Sequence, residues 1–366
     1  MVVLVAGLIL LNLLFYLFLI AGWINLPVEV SVRKLSFSII IPVRNEDDNI
    51  EEILQALEQQ EYPNEQYEVI VVDDFSEDDT RKKVEAFRSK CKISIRNCAL
   101  TQEEGKGKKR AITKGVGLSQ FDHIITTDAD CIMGNGWLAA YARHFADNQI
   151  VAGPVTIRSR TMFSKLQEIE FAGLIGFGAV TINRDDPSMC SGANLGFTKE
   201  AFNNVGGYAN NIKIPSGDDE FLLYNINKAY PGKATFMKDR RAVVRTPPHE
   251  TLASFVNQRK RWTSKWKYNK NRRLRLTAIF FFFENISLPI LAILALFGWA
   301  DPLLIMIFFT AKYILSTLFM NLVNGFLGNS ITVLSPFLFQ IIYPFHVLFM
   351  GLNSIFGSYT WKGRRY

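Results

Sequence analysis

The sequence has little cysteine and little histidine, with four of each among its 366 residues. The cysteines are Cys91, Cys98, Cys131 and Cys190. They form no CxxC pair, and neither they nor the histidines show the spacing of metal ligands. These absences argue against a zinc-binding module and against a disulfide-stapled secreted scaffold. Reduced thiols in a cytosolic domain are the expectation.

Charged residues are absent from the first segment, Met1 to Trp23. This segment is long enough to cross a bilayer, which takes about 20 apolar residues. A secretory signal peptide would begin with basic residues and end at a small-residue cleavage site, and neither is found here. The sequence therefore predicts an uncleaved transmembrane anchor over residues 1–23. Arg33 and Lys34 follow it, so the positive-inside rule places the next domain in the cytosol, at the inner face of the cell membrane.

Apolar residues are abundant, at 49% of the chain with 29 Phe, and their excess lies at the two ends. Residues 35–256 are predicted to form a soluble domain. Residues 276–356 are predicted to be a C-terminal membrane region with two or three spans. Its apolar stretches are Leu276–Trp299, Pro302–Phe326 and Ile331–Ile355.

Two of these stretches contain a charged residue, Glu284 in the first and Lys312 in the second. Such charges usually face a protein interior or a cavity. An ion pair between the two, and an interfacial Glu284 with a snorkelling Lys312, are both open. Three crossings would leave the C-terminus outside, whereas the basic tail over residues 357–366 favours the cytosol. An interfacial piece would resolve this conflict, and Leu276–Phe283 is the candidate.

The net charge of +7 is concentrated in residues 257–275, a run from Asn257 to Arg275 that contains many Lys and Arg and no acidic residue. A basic stretch could bind nucleic acid. Because this one ends at an apolar stretch, the anionic membrane surface is the expected partner and nucleic acid is not.

The soluble region alternates buried-type strands with amphipathic helices. The strands are predicted at Phe37–Val43, Tyr67–Val72, Lys92–Arg96 and His123–Thr127, and the helices around Ile50–Leu57, Asp79–Ser89 and Lys108–Leu118. Ser76 and the acidic residues after it are the expected caps of the second helix. This alternation predicts an α/β fold with a mostly parallel sheet and helices on both faces.

Polar clusters follow three of these strands, where such sheets bind ligands. The clusters are Arg44-Asn45-Glu46, Asp73-Asp74 and Asp128-Ala129-Asp130. The last has the form D-x-D, whose carboxylates are suitable ligands for Mg²⁺ or Mn²⁺. Further along the chain come a Gly-rich segment, Ser191–Phe197, and an acidic group after Gly217.

Taken in order, these motifs resemble those of the family 2 glycosyltransferases, over about Phe37 to Trp262. The resemblance implies a GT-A catalytic domain flanked by transmembrane helices. It assigns donor binding to Pro42, Arg44, Asn45, Glu46, Asp73, Asp74, Lys108 and Asp128. It assigns the metal to Asp128 and Asp130, which match the family's D-x-D. Lys108 matches the family's G-K-x-x-A, although its basic run could also be a solvated loop.

The same resemblance assigns catalysis to Asp218, with Asp219 as the alternative, because the family's usual T-E-D is replaced here by Ser-Gly-Asp-Asp. Gln258, Arg261 and Trp262 match Q-x-x-R-W, the motif of membrane-integrated synthases. Asp218 is expected to act as general base, Arg261 to add positive charge at the diphosphate, and Trp262 to form a wall for the acceptor. A membrane-surface helix is the alternative interpretation, because Trp262, Trp266 and Tyr268 lie among basic residues as interface anchors do, and the two interpretations are compatible.

The expected function is inverting transfer of a sugar from a nucleotide-sugar, in first place a UDP-sugar, to a membrane lipid or lipid-linked saccharide. A processive polysaccharide synthase is the alternative within the family, and it would favour a homo-oligomer because few helices make a narrow conduit. A nucleotidyltransferase, which also uses acidic metal ligands on an α/β sheet, is the alternative outside it.

Overall fold

The structure, a computed structural model, describes residues 2–28, 33–145, 147–214, 216–264, 272–330, 332, 334–356, 360–361 and 364–365. The chain divides into two compact units. The helical unit comprises Met1–Asn25, Ser159–Gly176 and Pro248–Tyr366, and the sheet unit comprises Leu26–Arg158 and Phe177–Pro247. Residues 159–176 therefore cluster with the long helices rather than with the rest of the region expected to be soluble.

Twelve α-helices and eleven strands are named along the described residues. The helices are α1 (Val2–Ile24), α2 (Ile50–Glu58), α3 (Thr80–Arg88), α4 (Lys108–Leu118), α5 (Trp137–Phe145), α6 (Met162–Ile182), α7 (Lys199–Asn204), α8 (Asp218–Ala229), α9 (Leu252–Ser264), α10 (Arg272–Leu296), α11 (Pro302–Leu327) and α12 (Leu334–Phe356). The strands are β1 (Phe37–Val43), β2 (Tyr67–Asp73), β3 (Ser94–Ala99), β4 (His123–Thr126), β5 (Ile150–Ala152), β6 (Val155–Ile157), β7 (Leu195–Thr198), β8 (Ala234–Phe236), β9 (Val244–Thr246), β10 (Thr360–Trp361) and β11 (Arg364–Arg365).

The sheet unit is built on a seven-stranded sheet with the order β3-β2-β1-β4-β7-β5-β8. The first four strands are parallel, β7 is antiparallel to both neighbours, and β5 pairs in parallel with β8. Every residue of β2 is buried, as expected for a strand covered on both faces. The prediction of a mostly parallel α/β sheet is confirmed.

Helix α4 lies close against β1 because glycine occupies the contact. A Cβ on Gly115 would lie 2.6 Å from Cγ2 of Ile40, so a larger residue would push the helix away. Helix α2 buries all four apolar positions that predicted it, Ile50, Ile53, Leu54 and Leu57. These contacts fix the ends of β1 and α4, where the functional side chains lie.

Two local predictions need correction. Strand β3 runs from Ser94 to Ala99, so it starts two residues after the predicted Lys92, whose backbone N–H donates to the Glu58 carboxylate at 2.8 Å. Ser76 does not cap α3, since its hydroxyl accepts from the backbone N–H of Asn45 at 3.0 Å, whereas Asp78, one of the acidic residues after it, accepts from the N–H of Thr80 at 3.0 Å. The Lys92 backbone and the Ser76 side chain are thus both used in longer-range contacts.

Within the part of the chain that the structure describes, four helices of the helical unit are long and apolar enough to cross a membrane. They are Val2–Ile24, Leu274–Leu296, Pro302–Leu327 and Leu334–Leu352. The third has a regular N-terminus, since Asp301 caps α11 directly before Pro302. The candidate interfacial piece, Leu276–Phe283, is part of the uninterrupted α10.

The two charged residues of the membrane stretches form an ion pair, with 2.8 Å between Lys312 Nζ and Glu284 Oε1. Both side chains are buried, and Lys312 also donates to Oδ1 of Asn285 at 3.3 Å. The pairing, rather than the snorkelling alternative, is therefore the arrangement in this structure.

Candidate active site

The loop after β1 is joined to the loop after β2 through Asn45. Its backbone N–H donates to Ser76 Oγ at 3.0 Å, and its Oδ1 accepts from the Glu77 N–H at 2.9 Å. Asn45 has a φ of +50°, a left-handed conformation that asparagine tolerates better than most residues. Glu46 continues the connection, because its N–H donates to Thr80 Oγ1 at 2.8 Å.

Arg44 lies across the second loop rather than away from it. Its guanidinium donates to the carbonyl oxygens of Asp74, at 3.0 Å, and of Phe75, and to the Glu77 carboxylate at 3.0 Å. These bonds shape the loop that contains Asp74, one of the aspartates predicted to bind the nucleotide donor. A direct contact between Arg44 and the donor stays a prediction, as do the donor contacts of Pro42 on β1.

The two aspartates after β2 are buried and hold neighbouring backbone. Asp73 accepts from the Ser76 N–H at 3.2 Å, and Asp74 accepts from the Gly107 N–H at 3.0 Å. Gly107 has a φ of +116°, which favours glycine at this position. Asp74 therefore fixes the residue directly before Lys108, the first residue of α4.

Lys108 joins two acidic residues that are far apart in the sequence. Its Nζ lies 2.7 Å from Asp128 Oδ1 and 3.3 Å from Asp218 Oδ2. Three elements meet here: the start of α4, the loop after β4 and the start of α8. Of the two alternatives left open for Lys108, the solvated loop is not the arrangement in this structure, since its side chain is mostly buried. The structure thus brings the D-x-D and the expected base together.

The ion pairs control the protonation of both partners. Burial alone would raise the pKa of the Asp218 carboxyl, but Lys108 and Lys109 outweigh it and hold that pKa below its usual range. Burial alone would lower the pKa of Lys108, but Asp128 and Asp218 outweigh it and raise that pKa well above its usual range. Asp218 is therefore a carboxylate and Lys108 an ammonium at neutral pH.

The neighbouring aspartates Asp218 and Asp219 have different surroundings. Asp219 accepts two backbone N–H bonds, from Gly192 at 3.1 Å and from Glu220 at 2.8 Å. A Cβ on Gly192 would lie 3.0 Å from Asp218 Oδ2 and 3.3 Å from Lys108 Nζ, so this glycine leaves room for the ion pair. Asp219 thus holds the Gly-rich segment in place, whereas Asp218 is the aspartate that pairs with Lys108.

Sequence reasoning missed Lys109, which is buried behind the cluster. Its Nζ donates to three backbone carbonyls, those of Asn211 and Ile214 at 2.9 Å and of Ser216 at 3.1 Å. These carbonyls belong to the segment that leads into Asp218. A Lys in a basic run gave no signal of this role; only its helical position, one residue after Lys108, hints at a different face.

The donor set of Asp128 and Asp130 fits a divalent cation that is shared with a diphosphate. Both carboxylates lie in the loop after β4, which ends at Thr126, and the Asp128 side chain is 38% exposed. Among the described residues, no group of three or more His, Cys, Asp or Glu could hold an ion by itself. Mg²⁺ commonly takes only one or two carboxylates and completes its shell with substrate phosphates and water, so two suffice.

Gln258, Arg261 and Trp262 lie on α9 in the helical unit, and each is partly buried. The amide oxygen of Gln258 accepts from Arg259, and the Trp262 ring lies 6.1 Å from that of Phe171. Their participation in catalysis stays a prediction. Trp266 and Tyr268, expected as interface anchors, lie outside the described residues.

Two family models match the chain. "Glycosyl transferase family 2" matches residues 38–206, and "Glycosyl transferase family group 2" matches residues 123–351, more than half of the chain. The chain is a member of the family 2 glycosyltransferases. This membership decides against the nucleotidyltransferase alternative. The matched residues cover the sheet unit and most of the helical unit.

Curated relatives share shorter segments with this glycosyltransferase. Poly(ribitol-phosphate) beta-N-acetylglucosaminyltransferase TarS of Staphylococcus aureus is 33% identical over 96 residues, which are 26% of this chain and 16% of the relative. Glycosyltransferase AglE of Haloferax volcanii is 35% identical over 102 residues, 28% and 32% of the two chains. Poly-beta-1,6-N-acetyl-D-glucosamine synthase of S. aureus is 27% identical over 158 residues, 42% and 37%. The chain thus matches only a minor part of each relative.

A solved structure is similar over almost the whole length. Mannosyltransferase PcManGT from Pyrobaculum calidifontis, in complex with GDP-Man and Mn²⁺, superimposes with a TM-score of 0.57. It covers 97% of this chain and 98% of its own, at 15% identity. At this identity the similarity concerns the fold, and it agrees with a GT-A type catalytic domain accompanied by apolar helices.

Proposed function

We propose that this glycosyltransferase transfers a hexose from a UDP-sugar to a membrane lipid or a lipid-linked saccharide, with inversion at the anomeric carbon. The observation that carries the proposal is the meeting of Asp128, Lys108 and Asp218 at one edge of the sheet. Carboxyl ends of strands in such sheets are where ligands bind. Two relatives are named for N-acetylglucosamine, which makes UDP-GlcNAc the first donor to test.

Asp218 is the proposed general base. It takes the proton from the acceptor hydroxyl while the acceptor oxygen bonds to the anomeric carbon and the bond to the diphosphate oxygen breaks. Its pairing with Lys108 supports this role, because the lowered pKa keeps the carboxylate ready to accept a proton. Asp219 is less suited, since both of its oxygens already accept backbone N–H bonds.

Asp128 and Asp130 are the residues that would hold Mg²⁺ or Mn²⁺. A bound cation would supply positive charge that stabilises the departing diphosphate. Lys108 would add a second positive charge at the same edge, and Asp74 would orient the nucleotide through the loop after β2, which Arg44 holds in place. Arg261 and Trp262, which lie on α9, would act on the diphosphate and the acceptor as the family motif implies.

The membrane is the proposed source of the acceptor. Four helices able to cross a bilayer, together with the basic residues 257–275, support a catalytic domain held at the cytosolic face of the cell membrane. A lipid or lipid-linked acceptor reaches such a domain by diffusion within the bilayer. Nucleic acid is not a proposed partner.

The test uses the purified full chain in lipid nanodiscs with Mn²⁺. UDP-, GDP- and dTDP-sugars are screened for cation-dependent release of the nucleoside diphosphate. UDP-GlcNAc is tested first, and the acceptor probe is a polyprenyl diphosphate-linked monosaccharide, whose sugar hydroxyl supplies the attacking oxygen. We expect UDP release and one labelled lipid product whose anomeric configuration is opposite to that of the donor. Release of pyrophosphate, or retention of configuration, would contradict the proposal.

A processive synthase is the second candidate, favoured by the Q-x-x-R-W motif and by the similarity to a poly-N-acetylglucosamine synthase. The same labelled product decides between the two. A single species extended by one sugar supports single transfer, whereas a ladder of lengths assigns the chain to polymer synthesis.

A further inference from the structure

A buried ion pair joins α6 to α9 within the helical unit. The Arg259 guanidinium donates to both oxygens of the Glu170 carboxylate, with Nη2–Oε2 at 2.7 Å and Nε–Oε1 at 3.1 Å. The two side chains are 6% and 7% exposed. Such a two-point contact between a planar guanidinium and a carboxylate fixes direction as well as distance. The pair therefore sets how α9 is rotated relative to α6.

Aromatic rings on α9 lie against the same guanidinium. Arg259 Cζ is 4.4 Å from the ring centre of Phe255 and 4.2 Å from that of Trp262. The three residues are spaced at i, i+4 and i+7 and so share one face of the helix. A guanidinium held by Glu170 thus lies against the aromatic residue of the family motif. Its planar stacking cannot be reproduced by lysine.

The carboxylate is held in its charged form. Burial alone would raise the pKa of Glu170, but Arg259 and His346 outweigh it and lower the pKa to about 2. His346 on α12 lies 3.6 Å from Glu170 Oε1, and its ring contacts that of Phe255. Nearby, Gln167 of α6 exchanges two hydrogen bonds with the backbone of His249, at 2.8 and 2.9 Å. Three helices, α6, α9 and α12, and the segment that leads into α9 are therefore held together around the Glu170 carboxylate.

This arrangement differs from an ordinary helix-stabilising pair. The Lys165–Glu168 pair on the same α6 joins residues three apart and touches no residue of the motif. Arg259 instead occupies one of the two unspecified positions of Q-x-x-R-W and contacts both neighbours within it, the amide of Gln258 and the ring of Trp262. The buried ion pair is therefore in direct contact with residues of the Q-x-x-R-W motif.

Building on the proposed function, we infer that Glu170 and Arg259 are a positioning pair, which holds the Trp262 ring in the orientation that receives the acceptor. Neither residue touches the reacting atoms. Loss of the pair should therefore weaken acceptor use while leaving the handling of the donor, which belongs to the sheet unit, unchanged.

The experiment compares Glu170→Gln, Arg259→Met and Arg259→Lys with wild type in nanodiscs, using UDP-GlcNAc and the polyprenyl diphosphate-linked monosaccharide. Lys260→Met is the matched control, because it removes the same charge from the next residue of the same helix. Three quantities are measured: KM for the lipid-linked monosaccharide, kcat, and UDP release in the absence of acceptor. Hydrogen exchange over residues 252–264 reports the order of α9.

We expect the acceptor KM to rise at least tenfold in all three variants, with acceptor-independent UDP release within twofold of wild type and faster exchange in α9. Lys260→Met should match wild type in each quantity. The double variant Glu170→Met with Arg259→Met removes both charges and so avoids an unpaired buried ion. It should fold and still show the raised acceptor KM.

The inference is overturned if the folded double variant or Arg259→Lys retains the wild-type acceptor KM. It is equally overturned if UDP release and transfer fall by the same factor, because the pair then only holds the fold. Failure of wild type to transfer sugar at all would instead refute the proposed function, so the two failures are distinguishable.

Discussion

The sheet unit and the helical unit differ in how their charged side chains are paired. In the helical unit each buried charge has a partner of opposite sign, as in Glu284 with Lys312, whose side chains are 5% and 2% exposed. At the sheet edge one ammonium, that of Lys108, serves two carboxylates. One of these, on Asp128, remains 38% exposed.

The difference separates the charges that stabilise the fold from the charges that are positioned to bind a ligand. A buried pair of opposite charges gains no electrostatic stabilisation from binding a further ion, because its two charges already neutralise each other. The sheet edge carries more negative than positive charge, because Asp130 and Asp219 lie beside the shared Lys108 cluster. A cation and the phosphates that accompany it would balance this surplus.

The strongest test of this contrast is Asp218→Asn, which keeps the shape of the side chain and removes the base. We expect kcat for transfer to fall by roughly 10³-fold, within the range of general-base contributions, with the unfolding temperature close to that of wild type. Asp219→Asn should cost much less. The exposed Asp122→Asn is the control, and equal losses at positions 218 and 219 would contradict the assignment.

Asp130→Ala should have the next largest effect, because it removes one of two proposed cation ligands. Transfer should fall by about 10²-fold, a typical loss for one electrostatic contact at a developing charge, and the Mn²⁺ concentration for half-maximal activity should rise. A titration of activity against Mn²⁺ measures both. An unchanged half-maximal concentration would show that this carboxylate does not hold the ion.

Lys108→Met should change the pH dependence of transfer, because Lys108 controls the protonation of Asp218. Transfer requires the Asp218 carboxylate and is lost as pH falls through its pKa. Without Lys108, burial raises that pKa, so the acidic limb of the kcat/KM profile should move to higher pH, and activity at neutral pH should fall about tenfold. Lys106→Met, in the same basic run, should leave the limb in place. An unmoved limb in Lys108→Met would refute the coupling.

Lys109→Met should act on both stability and rate. Three backbone carbonyls lose a charged donor, which should lower the free energy of unfolding by about 2 kcal/mol. The segment before Asp218 should then be less fixed, and kcat should fall several-fold. Denaturant unfolding of the variant and hydrogen exchange over residues 208–217 check this, and protection equal to wild type would contradict it.

Glu284→Gln should show the smallest effect on chemistry, although it breaks a buried ion pair. Removal of one partner destabilises such pairs by about 3–5 kcal/mol, so the unfolding temperature in nanodiscs should fall. UDP release per folded molecule should stay within twofold. The double variant Glu284→Met with Lys312→Met should recover much of the stability. A loss of turnover in that folded double variant would show that the pair is more than structural.

The elements that the sequence predicted well are those with strong local patterns. Strand β1 and helix α4 have the predicted bounds, because a β-branched run and an apolar stripe each specify one element. The three-residue strands β5 and β8 and the antiparallel β7 were not predicted. Their pairing depends on partners that are distant in the chain, and three residues carry too little periodicity to be detected.

The candidate site could be predicted where a motif names the residue type, as for Asp128 and Asp218. Lys109 and Arg259 could not, because they lie at unspecified positions of their motifs. Their roles come from burial and from contacts with residues about 90 to 105 positions away. A basic residue in a basic run looks the same whether it faces water or lies buried beneath a loop.

The Glu284–Lys312 pair also bears on how the protein enters the bilayer. Each charge lies near the middle of its helix, where a lone ionised residue costs about 2.5–3.5 kcal/mol on insertion scales. Helices α10 and α11 are consecutive and separated by a short turn, so they can leave the translocon as a hairpin with the charges already joined. The order of synthesis thus supplies the counter-ion when it is needed.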